Sequence, residues 1–258
     1  VIVAGWPVVV LEGDAEALHQ RDLDPADPAA VWSIGVSRPA LVLGSAQPLD
    51  DADRALARRR GVEVVRRRSG GGAVLLVPGE LWWCDLVVPT GHPAHRRSPG
   101  AQFTWAGAAW AGALAASGDT APVSVTATAA RPGPLGRVVC FGALGPGEVV
   151  SGAGVAGEPA AEVGAAAKVV GLAQRRTRAG TRVLGLVHRV WRPELTAALV
   201  APGLARIGRD VDEVAAALSV SVVTGVEVGV DAARDVAAAL AAVAAGTGEA
   251  AAVTDDDR

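Results

Sequence analysis

Three arginines run directly into three glycines in the stretch Val64-Val65-Arg66-Arg67-Arg68-Ser69-Gly70-Gly71-Gly72-Ala73-Val74. Glycine lets the backbone turn through positive φ and gather successive N–H groups around an anion, and guanidinium groups add bidentate charge for phosphate or carboxylate. The loop is suited to a negatively charged ligand. It is not a phosphate loop of the lysine-ended kind, because no Lys-Ser or Lys-Thr pair follows the glycines. Nor is it a dinucleotide fingerprint, whose last glycine would have to fall at Leu75. A Gly triplet alone reads as a flexible turn between two strands; the adjoining Arg triplet favours an anion site.

A second chemical signal is a residue that has escaped replacement. Of the 24 basic side chains, 23 are arginine, and the one lysine, Lys168, stands in Ala167-Lys168-Val169-Val170-Gly171-Leu172-Ala173-Gln174-Arg175-Arg176. The excess of Arg, Ala, Val and Gly, with no Tyr, Met or Asn, has the look of a GC-rich coding bias that turns replaceable lysines into arginines. An ammonium is a compact charge that reaches a single oxygen or shifts its pKa, which a planar guanidinium does not do. The alternative is chance survival of a surface lysine.

Among the other reactive side chains, Cys84 and Cys140 are the only thiols. Cys84, between Trp83 and Asp85, reads as structural, whereas Cys140 is either a buried strand residue or a nucleophile. His19, His92, His95 and His188 lack metal-ligand spacing, so no metal site is assigned. The pair Trp82-Trp83 either walls an apolar ligand pocket or fills the core.

Positioning these groups requires alternating elements. Strands are expected at 41–44, 62–66, 73–77, 81–88, 123–127, 137–141, 168–174 and 182–190. Helices are expected at 53–57, capped by Asp50 or Asp51, and at 102–116, 193–200, 211–218 and 232–245. Pro78-Gly79 reads as a hairpin turn. The Gly/Ala-rich tether from Ser151 to Ala167 reads as a long mobile loop, either closing over the site or inert, and 246–258 as a frayed tail. Strands in hairpins with intervening helices give an α+β class, a mixed β-sheet flanked by helices. The expected division is a main domain over 1–200, which the resemblance given next makes the catalytic domain, a small helical segment over 201–245, and the tail.

Leu41-Val42-Leu43-Gly44-Ser45-Ala46-Gln47, the Arg-Gly loop and Lys168-Val169-Val170-Gly171-Leu172-Ala173-Gln174 together resemble, in order and spacing, the biotin/lipoate protein ligase family, closest to its lipoate-protein ligase branch. The resemblance covers about residues 30 to 200. It implies a catalytic domain related to those of class II aminoacyl-tRNA synthetases. It also implies activation of lipoate or octanoate with ATP to an acyl-adenylate, followed by acyl transfer to a lysine of a lipoyl carrier domain. The carriers so implied are the lipoyl domain of 2-oxoacid dehydrogenases and the glycine cleavage H protein.

By that resemblance Arg67, Arg68, Ser69, Gly70, Gly71, Gly72, Ala73 and Gly171 bind ATP and lipoate, and Lys168 is catalytic at the α-phosphate and acyl oxygens. Mg²⁺ is expected with ATP, though no acidic cluster identifies its ligands. Arg175, Arg176 and Arg178, otherwise a solvated hairpin tip, would meet an acidic carrier. Replacing Lys168 by Ala is expected to abolish adenylate formation and leave the fold intact.

Departures from the family pattern are Gly79-Glu80-Leu81 where many ligases carry Gly-Asn, and Leu184-Gly185 where they carry His-Gly. The tail after Ala201 is too short for the accessory domain of the larger ligases, which leaves room for a separate accessory subunit or a different reaction. Val139-Cys140-Phe141 with Gly147-Glu148-Val149 resembles the cysteine segment of ATP-independent octanoyl or lipoyl transferases, in which Cys140 would be the nucleophile. A third reading is a catalytically silent sensor of acyl-adenylate or carrier.

Composition narrows the classes. The chain is half apolar and one-fifth charged over 258 residues, enough for a substantial core. A formal charge of −3 argues against a general nucleic-acid binder. The longest apolar runs fall short of a membrane span, and two cysteines suit a reduced, cytoplasmic setting without a secretory signal.

Overall fold

The computed structural model describes residues 2–3, 6–117, 122–126, 133–151, 167–222, 236, 238 and 239. In chain order the strands are β1 (Ile2–Val3), β2 (Trp6–Gly13), β3 (Ala30–Val36), β4 (Ala40–Leu43), β5 (Glu63–Arg66), β6 (Val74–Leu76), β7 (Leu81–Pro89), β8 (Val123–Val125), β9 (Val149–Ser151), β10 (Ala167–Arg176) and β11 (Gly180–His188). The helices are α1 (Ala15–Gln20), α2 (Arg54–Arg59), α3 (Pro99–Ser117), α4 (Pro134–Val138), α5 (Pro193–Leu199), α6 (Ala201–Arg206) and α7 (Val211–Ser221).

Eight strands form one sheet in the order β1-β2-β3-β7-β11-β10-β9-β8, and three form another in the order β5-β4-β6. Both are mixed, since β2 runs parallel to β3 and β4 parallel to β5 while the other pairings are antiparallel. Side-chain alternation along the strands then sorts the apolar residues into layers. One face of the large sheet packs Val149, Val169, Val183 and Val187 against Trp110 and Leu114 of α3. Gly185 makes this approach possible, because a Cβ there would collide with the Trp110 ring.

The opposite face meets the small sheet, where Trp32, Trp83 and Val87 share a core with Val42, Val74 and Leu76. Leu41 and Leu43 point the other way, onto Leu199, Leu204, Val214 and Leu218 of α5, α6 and α7. Strand β4 is thus covered on both sides and reads as an unbroken apolar run. The expected α+β class, a mixed sheet flanked by helices, is what the chain adopts.

Three local expectations are corrected. Residues 137–141 are not a strand: Pro134 sits at the first turn of α4 behind Gly133, and Cys140–Gly142 form a 3-10 turn. Only Val139 between them is extended, and it bridges Ala73. The cap of α2 is Asp53, whose carboxylate accepts from the Leu56 N–H at 2.8 Å. Asp51 is instead buried in a two-bond contact with Arg206, at 2.9 and 2.8 Å. Finally, Pro78-Gly79 turns the chain from β6 in one sheet to β7 in the other and closes no hairpin. Most of the 151–167 tether, most of the helix expected at 232–245 and the 246–258 tail lie outside the described residues.

Candidate active site

The Arg-Gly loop is organised from beneath by Arg67. Its side chain is 3 % exposed, and it donates to the carbonyls of Val42 at 3.1 Å, Gly70 at 2.7 Å and Gly72 at 2.8 Å. Burial pushes the guanidinium pKa down from its ordinary value, with a smaller opposing effect from Cys140. With the two Gly carbonyls gathered onto Arg67, the N–H groups of Gly70, Gly71 and Gly72 have no acceptor among the described residues. Such a run offers the unclaimed backbone donors that an anion would need.

Two glycines fix the loop's position. A Cβ on Gly44 would collide with the Gly71 carbonyl oxygen, and one on Gly72 would lie 2.6 Å from the Val139 nitrogen. Gly71 itself holds φ +96°, a conformation that L side chains adopt rarely. Gln47 ties the parts together, accepting from the Gly44 N–H at 3.3 Å and donating to the Val138 carbonyl at 3.1 Å. From the loop's end, Ala73 donates to the Val138 carbonyl at 2.8 Å and accepts from the Cys140 N–H at 2.9 Å.

Lys168 closes this chain of bonds, its Nζ donating to the Cys140 carbonyl at 2.9 Å. The ammonium also lies 2.7 Å from Glu148 Oε2 and 5.1 Å from the centre of the Phe141 ring. Both members of the ion pair are buried, with side chains 1 % and 5 % exposed. Glu148 is further fixed by the N–H groups of Gly145 at 2.6 Å and Leu172 at 3.2 Å. The turn of β10 that aims the lysine is a register shift between Lys168 and Val170. This breaks the alternation, so that Val169 and Val170 both face the α3 side while Lys168 faces Phe141.

The surviving amine is therefore no surface residue. It is held beside the loop's far end by a buried carboxylate, and pointing into bulk solvent is ruled out by its burial. Gly171, three residues further along β10, packs on the same ring: a Cβ there would come 2.8 Å from Phe141 Cζ. Its place in the site is to admit the Phe141 ring under the lysine.

Of the remaining predicted residues, Arg68 and Arg178 are exposed, Arg175 and Arg176 are half-buried, and Ser69 is buried. Arg68 is exposed and pairs with Asp22, which also takes Arg175 Nε at 3.2 Å. These two arginines hold the Asp22 carboxyl below its usual range, the Arg68 hydrogen bond being the largest cause. Arg176 donates to the carbonyls of Arg96 at 2.9 Å and Arg97 at 3.0 Å, and the exposed Arg178 lies at the turn after β10. Ser69 is buried, with its hydroxyl unpartnered.

Cys140 is half-buried at the start of its 3-10 turn, whereas Cys84 is fully buried and its thiol is pushed up to about 12 by burial and by Asp85. Trp83 belongs to the core beneath His19, the two rings stacked at 4.4 Å. Sequence reasoning passed over Gly44, Gln47 and the roles of Glu148 and Asp22. Gly44 and Gln47 stood inside a motif that had been noticed, but nothing local distinguishes a glycine that admits a neighbouring carbonyl. Among the described residues no group of three His, Cys, Asp or Glu side chains could hold a metal ion. Glu148 is the carboxylate placed at the lysine.

No helix among the described residues is long and apolar enough to cross a membrane. The fold is similar to that of lipoate-protein ligase A bound with ATP, with 14 % identity, a TM-score of 0.63, and coverage of 93 % of this chain and 85 % of the other. It is similar to a bi-partite lipoate protein ligase from Thermoplasma acidophilum, described with its E2 lipoyl domain, at 14 % identity and a TM-score of 0.64 over 93 % and 84 % of the two chains. The T. acidophilum protein Ta0514 with bound lipoic acid matches at 13 % identity and a TM-score of 0.63 over 93 % and 85 %.

A search of curated proteins gives no match. The family model of the lipoyl protein ligase A/B catalytic domain matches residues 14–188, which contain the loop, Cys140, Glu148 and Lys168. The chain therefore belongs to the lipoyl protein ligase A/B catalytic domain family, and it is an enzyme of the ligase or transferase type.

Proposed function

We propose that this protein activates lipoate or octanoate with ATP to an acyl-adenylate and passes the acyl group to a lysine of a lipoyl carrier domain. The observation that carries this reading is the joining of two charge-binding devices through two backbone–backbone hydrogen bonds and one from the Lys168 side chain. A triglycine run with unclaimed N–H groups lies on one side, and a buried ammonium held by Glu148 on the other.

When a carboxylate attacks an α-phosphate, negative charge grows on the non-bridging oxygens; when an amine then attacks the acyl carbon, it grows on the acyl oxygen. Donors fixed beforehand at those two places stabilise both steps without reorganising. Gly70, Gly71 and Gly72 supply backbone donors to the phosphate, and Lys168 holds the acyl and phosphate oxygens in register. Arg67 keeps the loop in shape. Mg²⁺, when bound with ATP, would supply charge neutralisation at the phosphates; Glu148, whose oxygens are taken by Lys168, Gly145 and Leu172, is not placed to hold it.

A second reading has its own observation. The Cys140 carbonyl anchors Lys168, and the Cys140 thiol is half-buried where Cys84 is enclosed. In an ATP-independent transferase Cys140 would take the octanoyl or lipoyl group as a thioester. The exposed arginines 68 and 178, with Arg175, would receive an acidic carrier in either case. One assay separates the readings. The pure protein and a lipoyl domain are incubated with lipoate and ATP, or with octanoyl carrier protein and no nucleotide, and the lipoyl domain is weighed by mass spectrometry. Acylation that requires ATP supports the ligase. Acylation without nucleotide supports the transferase, and binding of lipoate and ATP without acylated product in either mixture supports a silent sensor.

A further inference from the structure

A cavity of about 10 Å³ lies between the end of β11 and helix α5, lined by His188, Trp191 and Thr196 and by Leu75, Val77 and Leu81. Two polar atoms on these residues have no hydrogen-bond partner among the described residues, Nε2 of His188 and Oγ1 of Thr196. Neither residue is more than 3 % exposed. The two atoms do not bond each other, and the Thr196 hydroxyl does not turn back onto its own helix.

Buried donors and acceptors without partners are costly, and the apolar walls of the cavity do not relieve them. Burial keeps the imidazole neutral, with its pKa pushed down to about 3, so neither group carries a charge that calls for an ion. A water answers both, because it donates or accepts as each requires. One water needs about 10–15 Å³ and at least two polar partners. The cavity supplies that room and those two partners. The exposed residues Val190 and Arg192 also line it and mark the side from which solvent enters.

The imidazole leads to the candidate reacting centre. Its ring meets Phe141 edge-on, with centroids 4.7 Å apart and planes at 70°, and lies 4.6 Å from the ring of Trp191. Trp191 is itself tied down, its Nε1 donating to the Leu218 carbonyl at 3.0 Å. Phe141 is also hemmed in by Gly171, where a Cβ would collide with its ring, and the Lys168 ammonium stands over its face at 5.1 Å from the centre. Of the two rings packed on Phe141, only His188 keeps an unanswered hydrogen-bonding atom.

We propose that the cavity holds one structural water bridging His188 Nε2 and Thr196 Oγ1, and that this water makes His188 a positioning residue. It fixes the imidazole against Phe141 and so the ring against the Lys168 ammonium. Misplacing a reacting group by about 1 Å costs on the order of a hundredfold in rate, so a ring held in one place serves Lys168 without touching substrate. The consequence for rate rests on the acyl-ligase reading; the water and the placement of Lys168 do not.

A crystal structure of the full chain is expected to show a water within hydrogen-bond distance of both atoms, and a dry cavity overturns the proposal. Because the chain contains one lysine, a ¹³C-lysine label gives a single ε-methylene signal, displaced from that of free lysine by the Phe141 ring current. Most of that displacement is expected to vanish in Thr196→Val, which keeps the shape and removes the hydroxyl, and to persist in Thr196→Ser. Should Thr196→Val not fold, Thr196→Ala removes the same hydroxyl with a residue that favours the helix. A lysine signal unmoved in the folded variant overturns the positioning role, since lost stability alone would not shift it. In pyrophosphate exchange with lipoate and ATP, the same variant is expected to lower kcat about tenfold and leave KM unchanged; an unchanged kcat also overturns the role. Exchange absent from the wild type sinks the ligase reading alone, and the lysine signal still decides the positioning.

Discussion

Lys168 Nζ lies 2.7 Å from Glu148 Oε2, and neither side chain is more than 5 % exposed. A buried pair that loses one member strands the other charge, at a cost of about 3–5 kcal/mol. Lys168→Ala is therefore expected to lower stability as well as activity, so the expectation of an intact fold in that variant is withdrawn. In a double-mutant cycle, Lys168→Met combined with Glu148→Leu is expected to recover much of the stability that either change loses, while adenylate formation stays lost. Chemical denaturation of the four proteins measures the coupling. Additive losses would show that the pair holds nothing together.

Gly44 is where the loop presses on β4, and the carbonyl of Gly71 occupies the place a Cβ would take. Gly44→Ala is expected to displace the glycine run and weaken nucleotide binding by tenfold or more, with a stability loss of about 1–3 kcal/mol as in overpacked sites generally. Gly79→Ala, at a turn with open space around it but φ +74°, is expected to cost stability without touching nucleotide affinity. Equilibrium binding of an ATP analogue to the two variants distinguishes a site effect from a general one.

Stability should fall on mild acidification. His188 is pushed down to about 3 and His19 well below its usual value, each chiefly by burial. Both are neutral in the folded protein, whereas in the unfolded chain each takes up a proton near pH 6.5. The stabilisation is full above that pH and is lost as the pH drops below it, by up to about 1.4 kcal/mol per pH unit for each histidine. Urea denaturation between pH 7 and pH 5 measures the slope, and His188→Phe is expected to reduce it. A flat profile would mean that the imidazoles are not buried as neutral groups.

The two thiols are expected to differ sharply. Cys84 is buried with its thiol pushed up to about 12, and Cys140 is half-buried. Brief treatment of the native protein with iodoacetamide should label Cys140 and spare Cys84, as peptide mass mapping will read. Cys140→Ser is expected to retain ATP-dependent acylation; complete loss in a folded variant would favour the thioester route.

Docking of a carrier should depend on the rim arginines. Arg68 and Arg175 meet at Asp22, and Arg178 is exposed nearby in sequence. Exposed pairs of this kind contribute little to stability, so Arg175→Glu with Arg178→Glu should leave the denaturation midpoint almost unchanged and raise the KM for a lipoyl domain several-fold. An unchanged KM would move the docking face elsewhere.

The fold and the site were legible in the sequence to different depths. Strands β4, β10 and β11 declared themselves because long runs of branched apolar residues lie between turn signals, and the α+β class followed from their alternation with helices. The stretch around Cys140 misled, since Val138-Val139-Cys140-Phe141 has the composition of a strand and only Pro134 and the packing of Val139 on Ala73 bend it otherwise. Lys168 was visible as the one amine in a chain of arginines. Its partner was not, because 20 residues separate Glu148 from Lys168 and strand pairing alone brings them together. The bulge that aims the lysine leaves no mark in local composition.

The central claim is that the amine of Lys168 and the glycine turn act on one activated acyl group. Lys168→Gln, one bond shorter, keeps a hydrogen-bond donor for the Cys140 carbonyl and Glu148 while removing the charge. Exchange of labelled pyrophosphate into ATP in the presence of lipoate, measured on this variant once its circular dichroism matches wild type, tests the claim most directly. The account predicts loss of exchange by at least a hundredfold; exchange at the wild-type rate would contradict it.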